Sequence, residues 1–421
     1  MTAIAVHTPG EKQTMLYRIK APWPGRVAAA IVASCLAAPI TIAAEPLHIP
    51  AITPLTGPVA AIGQDVKKGL EVAVEAINQA GGIGGRQVVV DVVDTQSKPE
   101  VVRREMERLT SLDNAPIIQG CESSAGISAA AQFGERAGVP LLNSLAAAEI
   151  FDRGYKWYFS QQVTNDDFAQ AAVSFVEDIS GSKGLGGTPI ALLNEDSPNG
   201  SGNSDRIRDI LAKRKISVVA SVSYDRAERN FLPIIKKVAE SKPAVVIWTG
   251  YTPDVVAGLT AMQQLEFYPY VVGIGGGLGD PRLPTLVDAS ILGKIHAANV
   301  DYFSIGLKRA EPFVKAYHAK FGADPSSYAA SCYASLFTIK AAYEAALAHS
   351  SQPTRADIAA GLRSLNIPGD QTITPARFIR FDATGRNTGA QAIVSQWQNA
   401  QDGKKLVWPA NLAVAPATKL P

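Results

Sequence analysis

Two neighbouring serines lie in a segment of the sequence that could hold an anionic group. The segment Gly120–Gly126 follows a short apolar run and precedes small residues with helical spacing, so Ser123 and Ser124 lie where a helix is predicted to begin. The free backbone N–H groups of a first helical turn, together with two hydroxyls, can bind a carboxylate without Lys or Arg. A serine at this position also caps helices that bind nothing. From this segment alone, both interpretations stay open.

A second segment occupies the corresponding position in the other half of the sequence. Trp248–Asp254 also follows an apolar strand and precedes a helix. Ligands of open α/β sheets bind outside the carboxyl ends of the strands, so the loops that leave those ends are expected to line the cleft. Tyr251 is therefore a candidate to stack on a ligand or to hydrogen bond to it. The alternative is a half-buried tyrosine at a domain interface.

Two glycine-rich segments lack the surroundings that a nucleotide site needs. Gly81–Gly85 follows a predicted helix and precedes a predicted strand, the reverse of the order that places a pyrophosphate at a helix N-terminus. Gly273–Gly279 does follow a strand, but Asp280 comes next and no Lys-Ser or Lys-Thr pair closes the loop. We interpret this loop as backbone that passes close to another group, such as a ligand at Gly275 and Gly276.

The sequence predicts neither a catalytic site nor a metal site. Glu122–Gly126 has the spacing of a hydrolase nucleophile elbow, but a glutamate stands in place of the first glycine. Four of the five histidines follow the N-terminal region and show no pairing pattern, and the chain has no Cys-x-x-Cys motif. We therefore expect a protein that is not an enzyme and that needs no cofactor.

Strands and helices alternate along most of the chain, and the pattern starts twice. The first set has predicted strands at 48–54, 87–93, 115–119 and 139–143, with helices at 63–80, 99–112 and 123–137. The second set has strands at 189–193, 217–223, 244–248 and 270–273, with helices at 202–214, 231–241 and 254–265. Such units imply mostly parallel sheets, so we predict two α/β lobes. No low-complexity linker separates the sets, which favours short, ordered hinge crossings.

Length, composition and charge agree with two folded lobes. The chain has 421 residues, 47% of them hydrophobic and 19% charged, which suits two lobes of about 150–200 residues each. The formal net charge of +2 is far below the basic excess with which nucleic-acid-binding proteins neutralise phosphates. After residue 293 a strand at 295–300 and helices at 311–321, 327–348 and 355–365 are predicted, and 378–382 and 392–397 are interpreted as a β pair.

The first 44 residues are typical of an N-terminal extension with a secretory signal peptide. Basic residues precede the uncharged apolar stretch 27–43, and small residues lead to Ala44, near which we predict cleavage. An uncleaved anchor is one alternative, and lipidation of Cys35 in the lipobox-like Val32–Cys35 is another. If Cys35 is removed, Cys121 and Cys332 remain; they could pair, but we expect two separate buried residues.

Several segments resemble those of one family of transport proteins. Pro54–Pro58 precedes a helix, and Ala76–Ile83 contains the specific pattern Asn-x-x-Gly-Gly-Ile. Together they resemble the branched-chain amino acid (leucine-type) periplasmic binding proteins of ABC transporters. The match covers nearly all of the chain after the signal and continues through Asp94-Thr95, Pro99, Ser123-Ser124, Arg153–Tyr155, Gly250-Tyr251, Pro325 and Phe381-Asp382.

The resemblance implies a type I periplasmic-binding fold, with two Rossmann-like αβα lobes that are joined by three hinge crossings and close around a ligand. We assign residues 45–163 plus 297–375 to lobe 1 and residues 164–296 plus 376–421 to lobe 2. The resemblance also implies a periplasmic monomer that presents its ligand to an inner-membrane ABC permease. Delivery of the ligand to a signalling receptor is the alternative.

Only part of the family's amino-acid clamp is present in this sequence. The resemblance aligns the family's ligand-binding serine with Ser123, and its threonine loop with 144–148, where alanines replace the hydroxyl. The acid that binds the α-ammonium group falls in Gly273–Gly279, which has no acid before Asp280. The predicted ligand contacts are Ile62, Ser123, Ser124, Ala146, Ala147, Asn199, Tyr251, Gly275 and Gly276.

The lost acid favours a ligand without an α-ammonium group, because a buried ammonium without a partner is costly. We therefore predict a small carboxylate or amide, aliphatic or aromatic, and Trp248 and Tyr251 favour a ring. The alternative is an amino acid whose ammonium is held by Asp280, Glu122 or Glu149.

Overall fold

Two largely parallel sheets organise the chain, as the repeated strand–helix pattern predicts. The structure is a computed structural model that describes residues 45–111, 115–145, 150–399 and 403–420. Ala44–Pro421 form one compact unit. The predicted signal peptide at 1–44 and its alternative, lipidation of Cys35, lie outside the described residues.

The first sheet belongs to lobe 1 and has five parallel strands in the order β2-β1-β3-β4-β5. Its elements are β1 (Leu47–Thr53), α1 (Ala60–Gln79), β2 (Val88–Asp94), α2 (Pro99–Ser111), β3 (Ile118–Gly120), α3 (Ser124–Ala137), β4 (Leu141–Asn143) and β5 (Tyr158–Ser160). Ile52 of β1 pairs with Gly120 of β3, and Gly120 pairs with Asn143 of β4. The loops that leave these three strands are therefore neighbours at one edge of the sheet.

The second sheet belongs to lobe 2 and has seven strands in the order β14-β13-β10-β9-β8-β6-β7. It begins with α4 (Asn165–Ser180), β6 (Ile190–Glu195), α5 (Pro198–Lys213), β7 (Ala220–Tyr224), α6 (Leu232–Glu240), β8 (Val245–Thr249), α7 (Thr252–Gln264) and β9 (Tyr270–Ile274). It continues with the short helices α8 (Gly276–Gly279), α9 (Leu283–Leu286) and α10 (Ser290–Lys294), then β10 (Ala298–Asp301). Strands β6 to β10 run parallel, so their carboxyl ends also share one edge.

Strand β10 corrects one boundary between the lobes. The sequence pattern assigns residues from 297 onward to lobe 1, yet β10 pairs in parallel with β9 and antiparallel with β13 (Ile393–Asn399) in the second sheet. A strand belongs to the sheet whose ladder it completes, so the chain returns to lobe 1 after Asp301. The helices α11 (Glu311–Phe321), α12 (Ser327–Leu347) and α13 (Arg355–Ser364) follow the return.

The predicted pairing of 378–382 with 392–397 is wrong. Strand β12 (Phe378–Ile379) pairs with β11 (Ile367–Pro368), whereas β13 pairs with β10 and with β14 (Gly403–Trp408). The turn that suggested this pair closes a shorter antiparallel bridge between Phe381 and Asn387, and it contacts the end of β5, where Ser160 N donates to the Gly385 carbonyl over 2.8 Å. The sequence signal thus indicated the turn, where Gly385 has a φ of 83°, but not the strands that pair around it.

The chain crosses between the two sheets at three places, residues 161–164, 302–310 and 380–392, which we call the first, second and third crossings. The first and third crossings are bonded to each other. Asn387 Nδ2 donates to Gln161 O over 3.4 Å. On either side of the first crossing, Asn387 N donates to Ser160 O over 2.9 Å, and Arg386 Nη2 lies 3.1 Å from both carboxylate oxygens of Asp167. These contacts hold the two crossings side by side.

A disulfide bond joins Cys121 to Cys332, with the two Cα atoms 6.2 Å apart. The expectation of two separate cysteines is therefore wrong. The bond links the residue after β3 to the first half of α12, and both cysteines are fully buried. A separation of 211 residues gave no sequence signal that these two elements are in contact.

Candidate functional site

A cavity that is partly open to solvent lies between the carboxyl ends of the strands of both sheets. Most of its lining residues lie within a few residues of a strand's carboxyl end: Pro54 after β1, Glu122–Ser124 after β3, Leu145 after β4, Asn199 after β6, Arg226 after β7, Gly250 and Tyr251 after β8, Gly275 and Gly276 after β9, and Tyr302 after β10. The other lining residues are Val59, directly before α1, and Ile62, Phe168 and Tyr328 in helices. This is the position that open parallel sheets offer to a ligand.

The structure brings together the predicted ligand contacts that it describes. Seven of them line this one cavity, namely Ile62, Ser123, Ser124, Asn199, Tyr251, Gly275 and Gly276. Ala146 and Ala147 lie outside the described residues. That these residues contact a ligand stays a prediction, because a shared cavity shows their proximity and not their occupant.

Ser123 serves as the N-terminal cap of α3. Its hydroxyl oxygen accepts a hydrogen bond from the backbone N–H of Gly126 over 3.3 Å. The capping role considered for this segment is thus present, and Ser123 and Ser124 also line the cavity. The Ser123 hydroxyl also forms a hydrogen bond with the Glu122 carboxyl group, which acts against the effect of burial on the pKa of Glu122.

Glu122 is the acidic residue among the described lining residues, and it is 1% exposed. One of its carboxyl oxygens accepts the hydroxyl of Thr95, and the other accepts the backbone N–H of Ser123 over 2.7 Å. Burial raises the pKa of Glu122 above its ordinary value, against these hydrogen bonds and the charge of Arg226. Each carboxyl oxygen is therefore already engaged by the protein itself.

Asp280, another acid that could have replaced the family's acid, lies in a neighbouring cavity that shares Tyr251 and Tyr328 with the first. Its carboxylate binds Arg282 through Nε at 2.9 Å and Nη2 at 2.7 Å. Burial tends to raise the pKa of Asp280, but its bonds to Arg282 and Thr252 hold that pKa below the ordinary value. Glu149 lies outside the described residues.

Aromatic side chains form much of the wall. Tyr251, Tyr302, Tyr328 and Phe168 all line the cavity, and the rings of Phe168 and Tyr302 lie 6.2 Å apart. Burial raises the pKa of Tyr251 to about 12, so this hydroxyl stays protonated and can donate. Trp248, which favoured a ring-bearing ligand, is instead buried behind the wall and donates to the Tyr224 hydroxyl over 3.0 Å.

Nine of the sixteen described lining residues were missing from the predicted set, among them Phe168, Arg226, Tyr302 and Tyr328. The rule that loops after strands line the cleft would have found Arg226 and Tyr302, which follow β7 and β10. It would not have found Phe168 and Tyr328, because these residues lie near the starts of α4 and α12. Their position depends on how the helices pack.

We expect the variant Glu122→Gln to flatten the pH dependence of stability. Because the folded-state pKa of Glu122 is raised, the folded protein binds this proton more tightly than the unfolded chain, so the free energy of unfolding falls as pH rises from the unfolded pKa through the folded one. The fall amounts to about 1.4 kcal/mol for each unit of pKa shift. Urea unfolding at pH 5 and pH 8 measures this fall in the free energy of unfolding. The control is Glu240→Gln, at an exposed position of α6. If wild type, Glu122→Gln and Glu240→Gln showed the same pH dependence of stability, the raised pKa of Glu122 would be contradicted.

Within the ranges that the structure describes, no group of three or more His, Cys, Asp or Glu residues could hold a metal ion. In the same ranges, no helix is both long and apolar enough to cross a membrane.

Comparison with known proteins extends over almost the whole chain. A family model described as periplasmic binding protein matches residues 46–404. The Leu/Ile/Val-binding protein homolog 8 of Brucella abortus (strain 2308) is 30% identical over 389 residues, which cover 89% of this chain and 93% of that protein. Homolog 7 of the same strain is 29% identical over 397 residues, with 92% and 97% coverage.

Solved structures share the fold at low sequence identity. The branched-chain amino acid transporter substrate-binding protein LivJ of Streptococcus pneumoniae, in complex with isoleucine, has a TM-score of 0.73 and 20% identity, and covers 86% of this chain and 100% of its own. The leucine-binding protein LivK of Thermotoga maritima has a TM-score of 0.72 and 19% identity, with 86% and 97% coverage. These matches agree with the two-lobed α/β architecture described above.

Proposed function

Because this chain belongs to the periplasmic binding protein family, of the branched-chain amino acid type, we propose that it is the solute-binding component of an ABC importer. We propose as its ligand a small organic carboxylate or amide without an α-ammonium group. The ligand binds between the lobes and favours their closed arrangement because it contacts both. An inner-membrane permease then accepts the ligand from the closed form.

The observation that carries the ligand class is the acid content of the cavity. Among the described lining residues Glu122 is the acid, and its two carboxyl oxygens already accept hydrogen bonds from Thr95 and Ser123. An ammonium group placed here would lose its water and would have to share carboxyl oxygens that already accept hydrogen bonds, which is costly. A carboxylate or amide oxygen instead meets donors, including the hydroxyls of Ser124 and Tyr251.

The walls of the cavity support a ligand with a ring or a compact apolar body. Four aromatic side chains, those of Phe168, Tyr251, Tyr302 and Tyr328, surround the space. Apolar walls with a few placed polar groups are typical of small-molecule sites. An aromatic or branched aliphatic acid fits this description.

The cellular setting belongs to the same proposal. Residues 1–44 act as a cleaved signal for export to the periplasm, with a lipid anchor at Cys35 as the alternative. The mature chain works as a monomer, with lobe 1 formed by residues 45–163 and the segment between the second and third crossings, and lobe 2 by the rest.

An amino-acid ligand is the second candidate, and the comparisons favour it. The relatives are Leu/Ile/Val-binding protein homologs, and the LivJ structure contains isoleucine. In this case Glu122 would have to give up one of its internal hydrogen bonds, or share an oxygen, to hold the ammonium.

Matched ligand pairs separate the two candidates. The mature chain, residues 45–421, is unfolded and refolded under oxidising conditions to remove carried-over ligand and is then tested by thermal shift. Leucine is compared with 4-methylpentanoate, and phenylalanine with 3-phenylpropanoate, since each pair differs only in the α-ammonium group. A ligand at 100 times its Kd stabilises the folded state by about 2.7 kcal/mol. We expect shifts with the two acids that lack the amine. Shifts with leucine or phenylalanine alone would contradict the proposed ligand class.

A further inference from the structure

The side chain of Arg226 lines the cavity from lobe 2 without a partner for part of its guanidinium. Arg226 follows β7, and its Cζ lies 4.4 Å from the centroid of the Tyr251 ring. Its Nη2 atom is buried and has no hydrogen-bond partner among the residues that the structure describes. No ion pair of Arg226 is found among them either.

A buried N–H donor without a partner is unfavourable, and more so when it carries charge. Two acids, Glu122 and Asp254, are affected by the charge of Arg226. Burial raises the pKa of each, and the charge of Arg226 lowers it by a smaller amount. Neither acid is a hydrogen-bond partner of Nη2. Glu122 instead binds Thr95 and Ser123, and Asp254 accepts the backbone N–H of Tyr251 over 3.1 Å.

The surroundings of Arg226 suit an incoming anion. A guanidinium presents N–H donors in a planar fork that matches a carboxylate, and stacking on an aromatic ring fixes the plane of that fork. The Tyr251 ring provides this support. From the opposite lobe, the start of α3 brings Ser123 and Ser124 to the same cavity, and the positive end of a helix also favours a negative group.

We propose that Arg226 is the specificity-determining cation of this site and binds the ligand's carboxylate together with Ser123 and Ser124. The inference rests on the proposed function and narrows it, because the ligand is then an organic monoanion and not a neutral amide. The carboxylate lies between a cation of lobe 2 and a helix N-terminus of lobe 1. It therefore links the two lobes when they close.

Acid and amide forms of one molecule test this assignment. Calorimetric titration of the mature protein uses 3-phenylpropanoate and 4-methylpentanoate, each beside its primary amide. In the variant Arg226→Gln we expect affinity for the acids to fall about 10- to 100-fold, which corresponds to the loss of one charged hydrogen bond. Affinity for the amides should change less than about 3-fold. Arg226→Lys should lie between, because it keeps the charge and loses the fork.

Arg208→Gln is the control, since Arg208 is an exposed arginine of α5 that pairs with Asp205. If the wild type binds none of the acids, the proposed ligand class fails and this inference fails with it. If the wild type binds the acids and Arg226→Gln binds them equally well, this inference alone is overturned. An equal loss for acids and amides also overturns it, because the residue would then only support the wall. Should Arg226→Gln not fold, Arg226→Lys carries the same comparison of acid with amide.

Discussion

Replacing Gly276 with alanine is expected to lower ligand affinity about 5- to 150-fold, while the unliganded protein keeps nearly its full stability. Gly276 begins α8 in lobe 2, and Tyr328 lies in the first turn of α12 on the other side of the cavity. A Cβ atom at Gly276 would lie 2.1 Å from the Tyr328 hydroxyl oxygen and 2.5 Å from Cζ of the same ring. Overlaps of this kind cost about 1–3 kcal/mol.

We expect the cost to fall on the closed arrangement, because opening of the lobes should separate Gly276 from Tyr328. A penalty on the ligand-binding form reduces the apparent affinity by the corresponding factor. Alanine fits the backbone at Gly276, whose φ is not positive, whereas the neighbouring Gly275 has a φ of 83° and would be strained by any side chain.

Isothermal titration calorimetry measures this effect, with whichever of the four compounds in the thermal-shift test binds most tightly. Gly293→Ala in α10 is the matched control, because a Cβ there would meet no heavy atom within 4 Å. Urea unfolding without ligand should give curves for wild type and Gly276→Ala that differ by less than about 1 kcal/mol. Unchanged ligand affinity in Gly276→Ala would show that these two residues do not approach each other in the bound form.

Removing the disulfide by the double change Cys121→Ala and Cys332→Ala is expected to lower the free energy of unfolding by about 2–5 kcal/mol. The bond closes a loop across 211 residues, so its loss gives the unfolded chain much more freedom. It also ties the segment that carries Glu122 and Ser123 to α12, which carries Tyr328. Two sides of the cavity would then lose a covalent link, and ligand affinity should fall as well.

Urea unfolding with and without a reducing agent distinguishes the bond from the packing of the two side chains. Wild type should unfold at lower urea concentration once it has been reduced, and the double variant should not respond to the reducing agent. Each single variant serves as a control for the lost side-chain volume. A reduced wild type as stable as the oxidised one would contradict the stabilising role of the bond.

The repeated alternation of strands and helices was enough to predict two parallel sheets, because apolar runs and helical periodicity are properties of short segments. The same strand-end rule predicted that Ser123, Tyr251 and Gly276 would meet in one cleft. Arg226 was not among the predicted ligand contacts because its loop, Asp225–Arg229, is rich in charged residues and is typical of an exposed turn.

What the sequence did not predict depends on contacts between distant segments. Tyr328 reaches the cavity only because α12 packs closely on α1, where a Cβ at Gly69 would lie 2.2 Å from the Ala329 carbonyl oxygen. The Cys121–Cys332 bond depends on the same packing. Likewise, β10 has the local pattern of any buried strand, and only its partners decide which sheet it joins.

The bonds between the first and third crossings also restrict how the protein can move. Arg386 binds the Asp167 carboxylate, and Asn387 N donates to Ser160 O. The first and third crossings therefore cannot slide past one another unless these hydrogen bonds break. A bend in which the first and third crossings move together leaves these hydrogen bonds intact. We therefore expect the lobes to swing about a single axis with little twist or shear, so that every ligand that closes them produces the same closed arrangement.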